Sequence, residues 1–212
     1  MASNLVILDH ALSHHNLAEL RDERTPPPRF RALVHRITLI LAAYATRDLA
    51  TRGSVVQTPN ESMEGRRLDG AAPLVVPILR AGLGMMDAML ELLPEAVVGH
   101  VGVYRDEETL EPVEYLVRLP AEIQGRRAFI LDPMLATGGS ASRVVELLTE
   151  QGCTQMDLLC IVAAPEGVAK LGNQHPNVRV FTTALDRQLS SIGFILPGLG
   201  DAGDRLYGTP QG

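Results

Sequence analysis

The chain has 212 residues, of which 46% are hydrophobic and 21% charged, a composition typical of a single globular domain. Its formal net charge of −6 argues against the basic surface that non-specific nucleic-acid binding requires. Its two cysteines, Cys153 and Cys160, cannot form a disulfide framework and have no metal-ligand spacing. We therefore expect one domain over residues 1–212 and no nucleic-acid partner.

The first residues show no signal peptide, because the short apolar run Met1–Leu8 is followed at once by Asp9 and His10. No stretch approaches the roughly 20 consecutive apolar residues of a membrane helix. We therefore expect a cytoplasmic protein without a membrane partner.

The N-terminal segment, residues 1–50, is predicted to be helical. Apolar spacing predicts a short helix over Leu12–Arg24 and a long amphipathic helix over Phe30–Leu49, separated by the Pro-rich break Thr25–Pro28. The segment Arg52–Arg67 is polar and turn-rich, and no regular element is predicted for it.

From Pro73 onward, short apolar runs alternate with helical patterns. Strands are predicted over Leu74–Leu79, Val97–Tyr104, Ala128–Leu131, Met156–Ala163 and Val178–Thr183, with an arm strand over Val113–Leu119 after an exposed loop over Arg105–Pro112. Helices are predicted over Gly82–Leu93, Gly139–Gln151 and Glu166–Leu171. This alternation is typical of an α/β fold with a mostly parallel sheet, in which ligands bind beyond the carboxyl ends of the strands.

The most informative segment follows the strand predicted over Ala128–Leu131. Its residues in chain order are Asp132, Pro133, Met134, Leu135, Ala136, Thr137, Gly138, Gly139 and Ser140, and a helix begins near Gly139. The two glycines let backbone N–H groups face a ligand, and the helix N-terminus adds partial positive charge. The pattern predicts a binding site for a phosphate monoester, in which Thr137 and Ser140 supply hydroxyl donors. Asp132 would accept hydrogen bonds from the adjoining sugar. The alternative is a plain strand-to-helix turn with an N-cap hydroxyl.

Gly198–Gly203 matches the pattern G-x-G-x-x-G, but it does not fit a dinucleotide site. Such a site opens a helix directly after a strand in a βαβ unit, whereas Pro197 separates this motif from the preceding apolar run. A glycine-rich loop whose backbone reaches a small ligand remains open.

Longer motifs resemble those of the uracil phosphoribosyltransferase family. Besides Asp132–Ser140 they are Val76–Met86, Tyr104–Val113, Val162–Gly167 and Leu196–Asp204, and they stand in the family's order. The resemblance covers residues 9–210. It implies a type I phosphoribosyltransferase α/β core over residues 70–185, with a β-arm and a small C-terminal hood over residues 186–212.

The resemblance implies transfer of the 5-phosphoribosyl group from phosphoribosyl diphosphate (PRPP) to uracil, giving UMP and diphosphate in pyrimidine salvage. Asp132–Ser140 would hold the ribose and its 5′-phosphate, while Arg80 and Arg105 would bind the diphosphate. The residues implied for uracil are Ile195, Gly200, Asp201 and Ala202, with Asp201 also near PRPP. Arg80, Arg105 and Asp201 are therefore the candidate catalytic residues.

The chemistry fits these assignments. Because diphosphate leaves as uracil N1 attacks, the transition state should resemble an oxocarbenium ion, and positioning and electrostatics should dominate catalysis. Arginine suits the diphosphate because its planar fork binds phosphate bidentately. Mg²⁺ is expected as cofactor, held by PRPP and water and not by protein ligands. The backbones of Gly200 and Ala202 are predicted to read uracil O4 and N3–H, which rejects cytosine.

The N-terminal third departs most from the family, since Ala43–Thr46 lacks a Glu that relatives often carry. This affects subunit contacts more than chemistry. The family implies a homo-oligomer, a dimer or higher, and a GTP effector that acts on some relatives. Two alternatives stay open: a phosphoribosyltransferase for another base, and a regulatory protein that binds nucleotide or RNA without turnover.

Overall fold

A mostly parallel β-sheet forms the centre of the computed structural model, which describes residues 4–105 and 112–209. Its strands, in spatial order, are β1 (Leu5–Ile7), β11 (Arg179–Leu185), β10 (Gln155–Ala163), β8 (Arg127–Leu131), β4 (Leu74–Leu79), β6 (His100–Arg105) and β7 (Pro112–Arg118). The short β5 (Val97–Val98) pairs with β4, and β9 (Met134–Leu135) pairs with β10. Within this sheet, the described pairing of β6 with β7 is antiparallel and the other described pairings are parallel.

Helices cover both faces of the sheet. They are α1 (Ala11–Arg21), α2 (Pro27–Thr46), α3 (Leu83–Leu92), α4 (Gly139–Glu150), α5 (Pro165–Gln174) and α6 (Ala202–Tyr207). Phe129 and Leu131 pack in the cluster that contains α1, α2, α3 and α6, whereas Ala128 and Ile130 pack in the cluster that contains α4 and α5. Because both faces are buried, the central strands consist of continuous apolar runs, not alternating ones.

The chain reverses its direction across the sheet between β4 and β8. From β4 it passes through α3 to β6 on one side, and then β8, β10 and β11 add in turn on the other side. In such sheets a crevice opens at the carboxyl ends of the two strands where the order reverses. Arg80 follows β4 and Asp132 follows β8, so two predicted site residues flank this point.

Helix α2 confirms the long amphipathic helix predicted for the N-terminal segment. It begins at Pro27, not at Phe30, because proline needs no N–H partner in a first turn and its fixed φ suits a helix. The buried stripe of Phe30, Leu33, Val34, Ile37 and Leu41 has the spacing of a single helix face.

The predicted strands and helices from Leu74 to Leu185 are confirmed, with ends that differ by a few residues. The segment Arg52–Arg67 is different, because the structure forms an antiparallel hairpin there, β2 (Thr51–Gln57) and β3 (Ser62–Leu68). Val55 is 79% exposed and Met63 is 50% exposed. Since neither face of the hairpin is covered, its sequence carries no alternating pattern that would predict strands.

The C-terminal hood contains a second small hairpin, β12 (Gln188–Leu189) with β13 (Ile195–Leu196), followed by α6. The reading of Gly198–Gly203 as a glycine-rich loop is wrong for its last two residues, which begin α6. Asp201 caps this helix by accepting a hydrogen bond of 2.9 Å from the N–H of Asp204. In the described part of the chain, no helix has both the length and the apolar character needed to cross a membrane.

Candidate active site

The predicted phosphate loop surrounds a small cavity at the carboxyl end of β8. The cavity has a volume of about 140 Å³ and is lined by Asp132 and residues 134–141. Gly138 has φ +79° and precedes α4, which begins at Gly139. Because the first backbone N–H groups of a helix have no acceptor within it, the start of α4 offers donors and positive potential to this cavity.

The loop rests on Gly167 of α5. A Cβ at Gly167 would lie 2.3 Å from the carbonyl oxygen of Ala136, and a Cβ at Gly138 would lie 3.0 Å from the carbonyl oxygen of Gly167. The missing side chain of Gly167 therefore leaves room for the backbone of Ala136, and that of Gly138 leaves room for the backbone of Gly167. The sequence reading overlooked Gly167 as a site residue, although it ends one of the quoted family motifs.

Pro133 is the member of the predicted phosphate loop that does not line the cavity. Its carbonyl accepts hydrogen bonds from the N–H groups of Ile161 and Val162, at 2.9 and 3.2 Å. The Ala164 N–H donates in the same way to the carbonyl of Leu135, at 2.8 Å. These bonds hold the first half of the loop against β10.

Asp132 is a partly buried carboxyl group at the cavity edge. Burial raises its pKa to about 7, and the negative charge of Asp201 adds to this increase, while the Met134 N–H partly offsets it. The Asp132 carboxyl is therefore poised between its neutral and ionised forms near neutral pH. Its electrostatic interaction with Asp201 also shows that the core loop and the hood meet at this site.

Arg80 connects the carboxyl end of β4 to the hood. Its Nη2 lies 3.5 Å from Oδ1 of Asp204, and its carbonyl oxygen accepts a hydrogen bond of 3.1 Å from the hydroxyl of Tyr207. A Cβ at Gly203 would lie 3.2 Å from Oδ1 of Asp201 and 3.8 Å from Nη2 of Arg80. The structure thus brings Arg80 and Asp201 together beside Gly203. The Arg80 side chain is 59% exposed and therefore accessible to an anion.

The residues predicted for uracil lie in consecutive parts of the hood. Ile195 is buried in β13, Gly200 has φ +79° and is exposed, and Ala202 is fully buried as the first residue of α6. Asp201 lies between these last two and points its carboxylate to the start of the helix. Ala202 is packed in the hydrophobic core, whereas Gly200 is accessible from outside.

Arg105 ends β6, which runs parallel to β4, so its backbone lies at the same edge as Arg80. The role predicted for its side chain, and the loop predicted over residues 106–111, lie outside the described part of the chain.

A larger cleft of about 760 Å³ lies at the other side of the sheet, at the amino ends of the parallel strands. It is lined by residues that precede or begin the central strands, among them Pro73, Arg127, Gln155 and Arg179. Ligands of parallel sheets bind beyond the carboxyl ends of the strands. The smaller cavity, which the predicted phosphate loop lines, is therefore the candidate active site.

Comparisons with known proteins point to one family. The family model described as uracil phosphoribosyltransferase matches residues 6–209. The uracil phosphoribosyltransferase of Streptococcus uberis is 51% identical over 203 residues, which span 96% of this chain and 97% of that protein. The chain belongs to the uracil phosphoribosyltransferase family. The uracil phosphoribosyltransferase of Alkaliphilus oremlandii is 47% identical over 207 residues, which span 98% of this chain and 99% of that protein.

Solved structures confirm the fold predicted for this uracil phosphoribosyltransferase family member. The AQ2163 protein from Aquifex aeolicus superposes with a TM-score of 0.91 at 35% identity, over 96% of this chain and 97% of that chain. The hypoxanthine phosphoribosyltransferase from Trypanosoma cruzi has a TM-score of 0.50 at 11% identity, over 75% of this chain and 76% of that chain. The type I phosphoribosyltransferase core is thus common to these structures.

Proposed function

We propose that this protein transfers the phosphoribosyl group of PRPP to uracil, forming UMP and diphosphate in pyrimidine salvage. The observation that carries the proposal is that the hood residue Asp201 lies beside Gly203 with Arg80 and also interacts electrostatically with Asp132 of the phosphate loop. Arg80 and Asp132 follow the two strands between which the strand order reverses. Membership of the uracil phosphoribosyltransferase family supports the choice of base.

The loop of residues 132–140 would hold the 5′-phosphate of PRPP on the N–H groups at the start of α4. The ribose would then lie beside Asp132, whose ionised form accepts hydrogen bonds from sugar hydroxyls. Arg80 would bind the diphosphate at the carboxyl end of β4, and Arg105 is proposed to reach it from β6. Because charge develops on the departing diphosphate, these fixed cations would stabilise the transition state more than the ground state.

Uracil would lie between the hood and the anomeric carbon of the ribose. Gly200 and Ala202 would present a backbone N–H and a backbone C=O to uracil O4 and N3–H. Cytosine inverts both groups and would leave these backbone atoms unpaired, so it should be rejected strongly. Asp201 would be the carboxylate nearest to the base and would orient the nucleophile, a water molecule or the metal.

Mg²⁺ is the proposed cofactor. In the described residues, no group of three or more His, Cys, Asp and Glu side chains lies close enough to hold a metal ion by itself. Mg²⁺ keeps several waters and binds substrate phosphates, so it would be held by PRPP and water. Asp132 and Asp201 interact electrostatically, and the negative potential of these two carboxylates would favour a cation beside them. Mg²⁺ when bound would neutralise charge on the diphosphate.

A homo-oligomer, a dimer or higher, is also proposed. The exposed β2–β3 hairpin supports it, because a two-stranded hairpin with both faces in water is marginally stable by itself. Light scattering after gel filtration would measure the mass directly. Activation by GTP stays a prediction from the family, and GTP added to the assay tests it. Residence in the cytoplasm stays a prediction from the sequence.

The decisive experiment incubates the purified protein with Mg²⁺, PRPP and uracil, and follows UMP by chromatography. Parallel incubations with cytosine and hypoxanthine test the base. Formation of UMP with no product from the other two bases is expected. A protein that binds PRPP yet forms no UMP would instead favour a regulatory role, and preference for hypoxanthine would indicate another phosphoribosyltransferase.

A further inference from the structure

A partly buried ion pair links the first helix of the chain to the hood. Arg21, the last residue of α1, donates from Nη1 to Oδ2 of Asp186 at 2.8 Å and from Nη2 to Oδ1 at 2.6 Å. Asp186 directly follows β11 at the carboxyl edge of the sheet and is 7% exposed. The two side chains form a bidentate pair, the geometry in which guanidinium and carboxylate bind most strongly.

The same pair binds both backbone polar groups of Gly198. The Gly198 N–H donates to Oδ2 of Asp186 at 2.9 Å, and its carbonyl accepts from Nη1 of Arg21 at 2.6 Å. Gly198 has φ +65°, and a Cβ there would lie 2.2 Å from the carbonyl oxygen of Ile195. The turn that leaves β13 is therefore fixed by two charged side chains in a conformation that suits glycine alone.

The fixed turn leads directly to the proposed base-reading residues. Leu199 is buried, and its carbonyl accepts a hydrogen bond of 2.7 Å from Nη1 of Arg205. Gly200 and Ala202 follow within the next residues, where they would read uracil through backbone atoms. Backbone N–H and C=O groups cannot adjust by a change of side-chain rotamer. Their position therefore depends on the contacts that hold the preceding turn.

We propose that Arg21 and Asp186 are positioning residues for recognition of the base, so that α1 forms part of the uracil site without touching uracil. The proposal rests on the proposed function. Such a pair contributes little to stability, because the cost of desolvating two charges offsets most of their mutual attraction. Two of the four hydrogen bonds described above hold the pair together, and the other two bind Gly198 in the turn before the base-reading residues.

The test compares Asp186→Asn and Arg21→Lys with a matched control, Arg29→Lys. Arg29 forms an equally short bidentate pair with Glu19, at 2.6 Å for both bonds, but that pair joins α2 to α1 and does not involve the hood. Steady-state kinetics at 25 °C would give KM for uracil, KM for PRPP and kcat, with circular dichroism to confirm folding. We expect KM for uracil to rise about tenfold in both test variants, the loss of about one charge-assisted hydrogen bond. KM for PRPP should stay within about twofold and the control should match the wild type.

Parallel changes in both KM values, or no change relative to the control, would overturn the proposal. If Asp186→Asn does not fold, Arg21→Lys decides the question, because it keeps the positive charge beside Asp186 but loses the fork. Failure of both variants to fold would assign the pair to global stability and also overturn it. Absence of UMP from the wild-type protein would mean instead that the proposed function is wrong.

Discussion

At the scale of single residues, the site depends as much on missing side chains as on charged ones. Gly167 lies in α5, yet its α-carbon faces the carbonyl oxygen of Ala136 in the phosphate loop. Gly172 lies in the same helix with open space around it. The two positions therefore separate the effect of a methyl group on the helix from its effect on the loop.

Gly167→Ala should displace the phosphate loop. We expect a loss of about 1–3 kcal/mol in the free energy of unfolding, typical of an overpacked site, and an increase in KM for PRPP of about ten- to a hundredfold. Gly172→Ala should leave KM unchanged and stabilise the helix by about 0.5–1 kcal/mol. Urea unfolding and steady-state kinetics measure both quantities. Equal KM values in the two variants would show that the loop does not rest on Gly167.

Asp132 should make stability depend on pH. Its pKa rises from the ordinary value of 3.8 to about 7 in the folded protein. Between these two values the unfolded chain has lost this proton and the folded chain has kept it, so this group's contribution to stability falls as pH rises and levels off above about pH 7. Asp132→Asn should remove that component. Urea unfolding from pH 4 to 8 measures it, and parallel curves for the two proteins would refute the raised pKa.

Asp201 offers a substitution that isolates charge from structure. Asparagine is as good an N-cap as aspartate, so Asp201→Asn should keep the hydrogen bond from the Asp204 N–H and leave α6 intact. We expect kcat to fall by about tenfold or more, with the Kd for PRPP changed far less, because the negative charge acts on the reacting groups. Calorimetric titration and a single-turnover assay give the two numbers. Unchanged turnover would exclude Asp201 from the transition state.

At the scale of elements, predictability from sequence followed burial. Strands β4, β8 and β10 are covered on both faces, so their apolar runs predicted them closely. The exposed strands β2 and β3 carry no such signal. Strand β1 was not predicted either. None of its three residues is fully buried, and its partner strand β11 lies at the far end of the chain.

Helix α6 could have been found from its caps. Asp201 precedes it as N-cap, Asp204 lies in its first turn, and Gly208 ends it at φ +71°. These signals were masked by the glycines of Gly198–Gly203, which suggested a loop. Likewise the phosphate loop was readable from local sequence, whereas the Arg21–Asp186 pair was not, because its two residues are 165 positions apart.

The ion network at the amino edge of the sheet should serve stability. Asp157 and Asp48 both accept hydrogen bonds from Arg127 and Arg179, but the side chain of Asp157 is 3% exposed and that of Asp48 is 47% exposed. Asp157→Asn should therefore cost about 3 kcal/mol, and Asp48→Asn less than about 1 kcal/mol. Thermal unfolding should separate the two variants by several degrees. Equal losses would mean that burial does not determine the contribution of each carboxylate.

At the scale of the whole molecule, the amino and carboxyl ends of the parallel strands form two edges of the sheet with different roles. The amino edge pairs its buried charges with each other, whereas the carboxyl edge keeps Arg80 exposed and Asp132 with a raised pKa. The hood closes over the carboxyl edge and is fastened to the N-terminal helices. Arg31 donates to the Leu206 carbonyl at 2.6 Å, and Arg205 stacks on Phe30 at 4.4 Å. The site therefore combines a core loop with a hood that the N-terminal segment holds.

This arrangement predicts how ligands should stabilise the whole protein. PRPP with Mg²⁺ should bind the folded chain and not the unfolded chain. At a PRPP concentration of about 100 times its Kd, binding should add about 2.7 kcal/mol to the free energy of unfolding. For a chain of this size that corresponds to a rise in Tm of about 5–10 °C. Arg80→Gln should reduce the rise at the same PRPP concentration, since the diphosphate loses a cation, whereas Arg29→Gln should preserve it. Because the hood and the core share the site, a single unfolding transition should shift as one. Two transitions, of which only one responds to PRPP, would contradict this prediction. They would show that the hood unfolds separately and that binding of the PRPP phosphates does not require the hood.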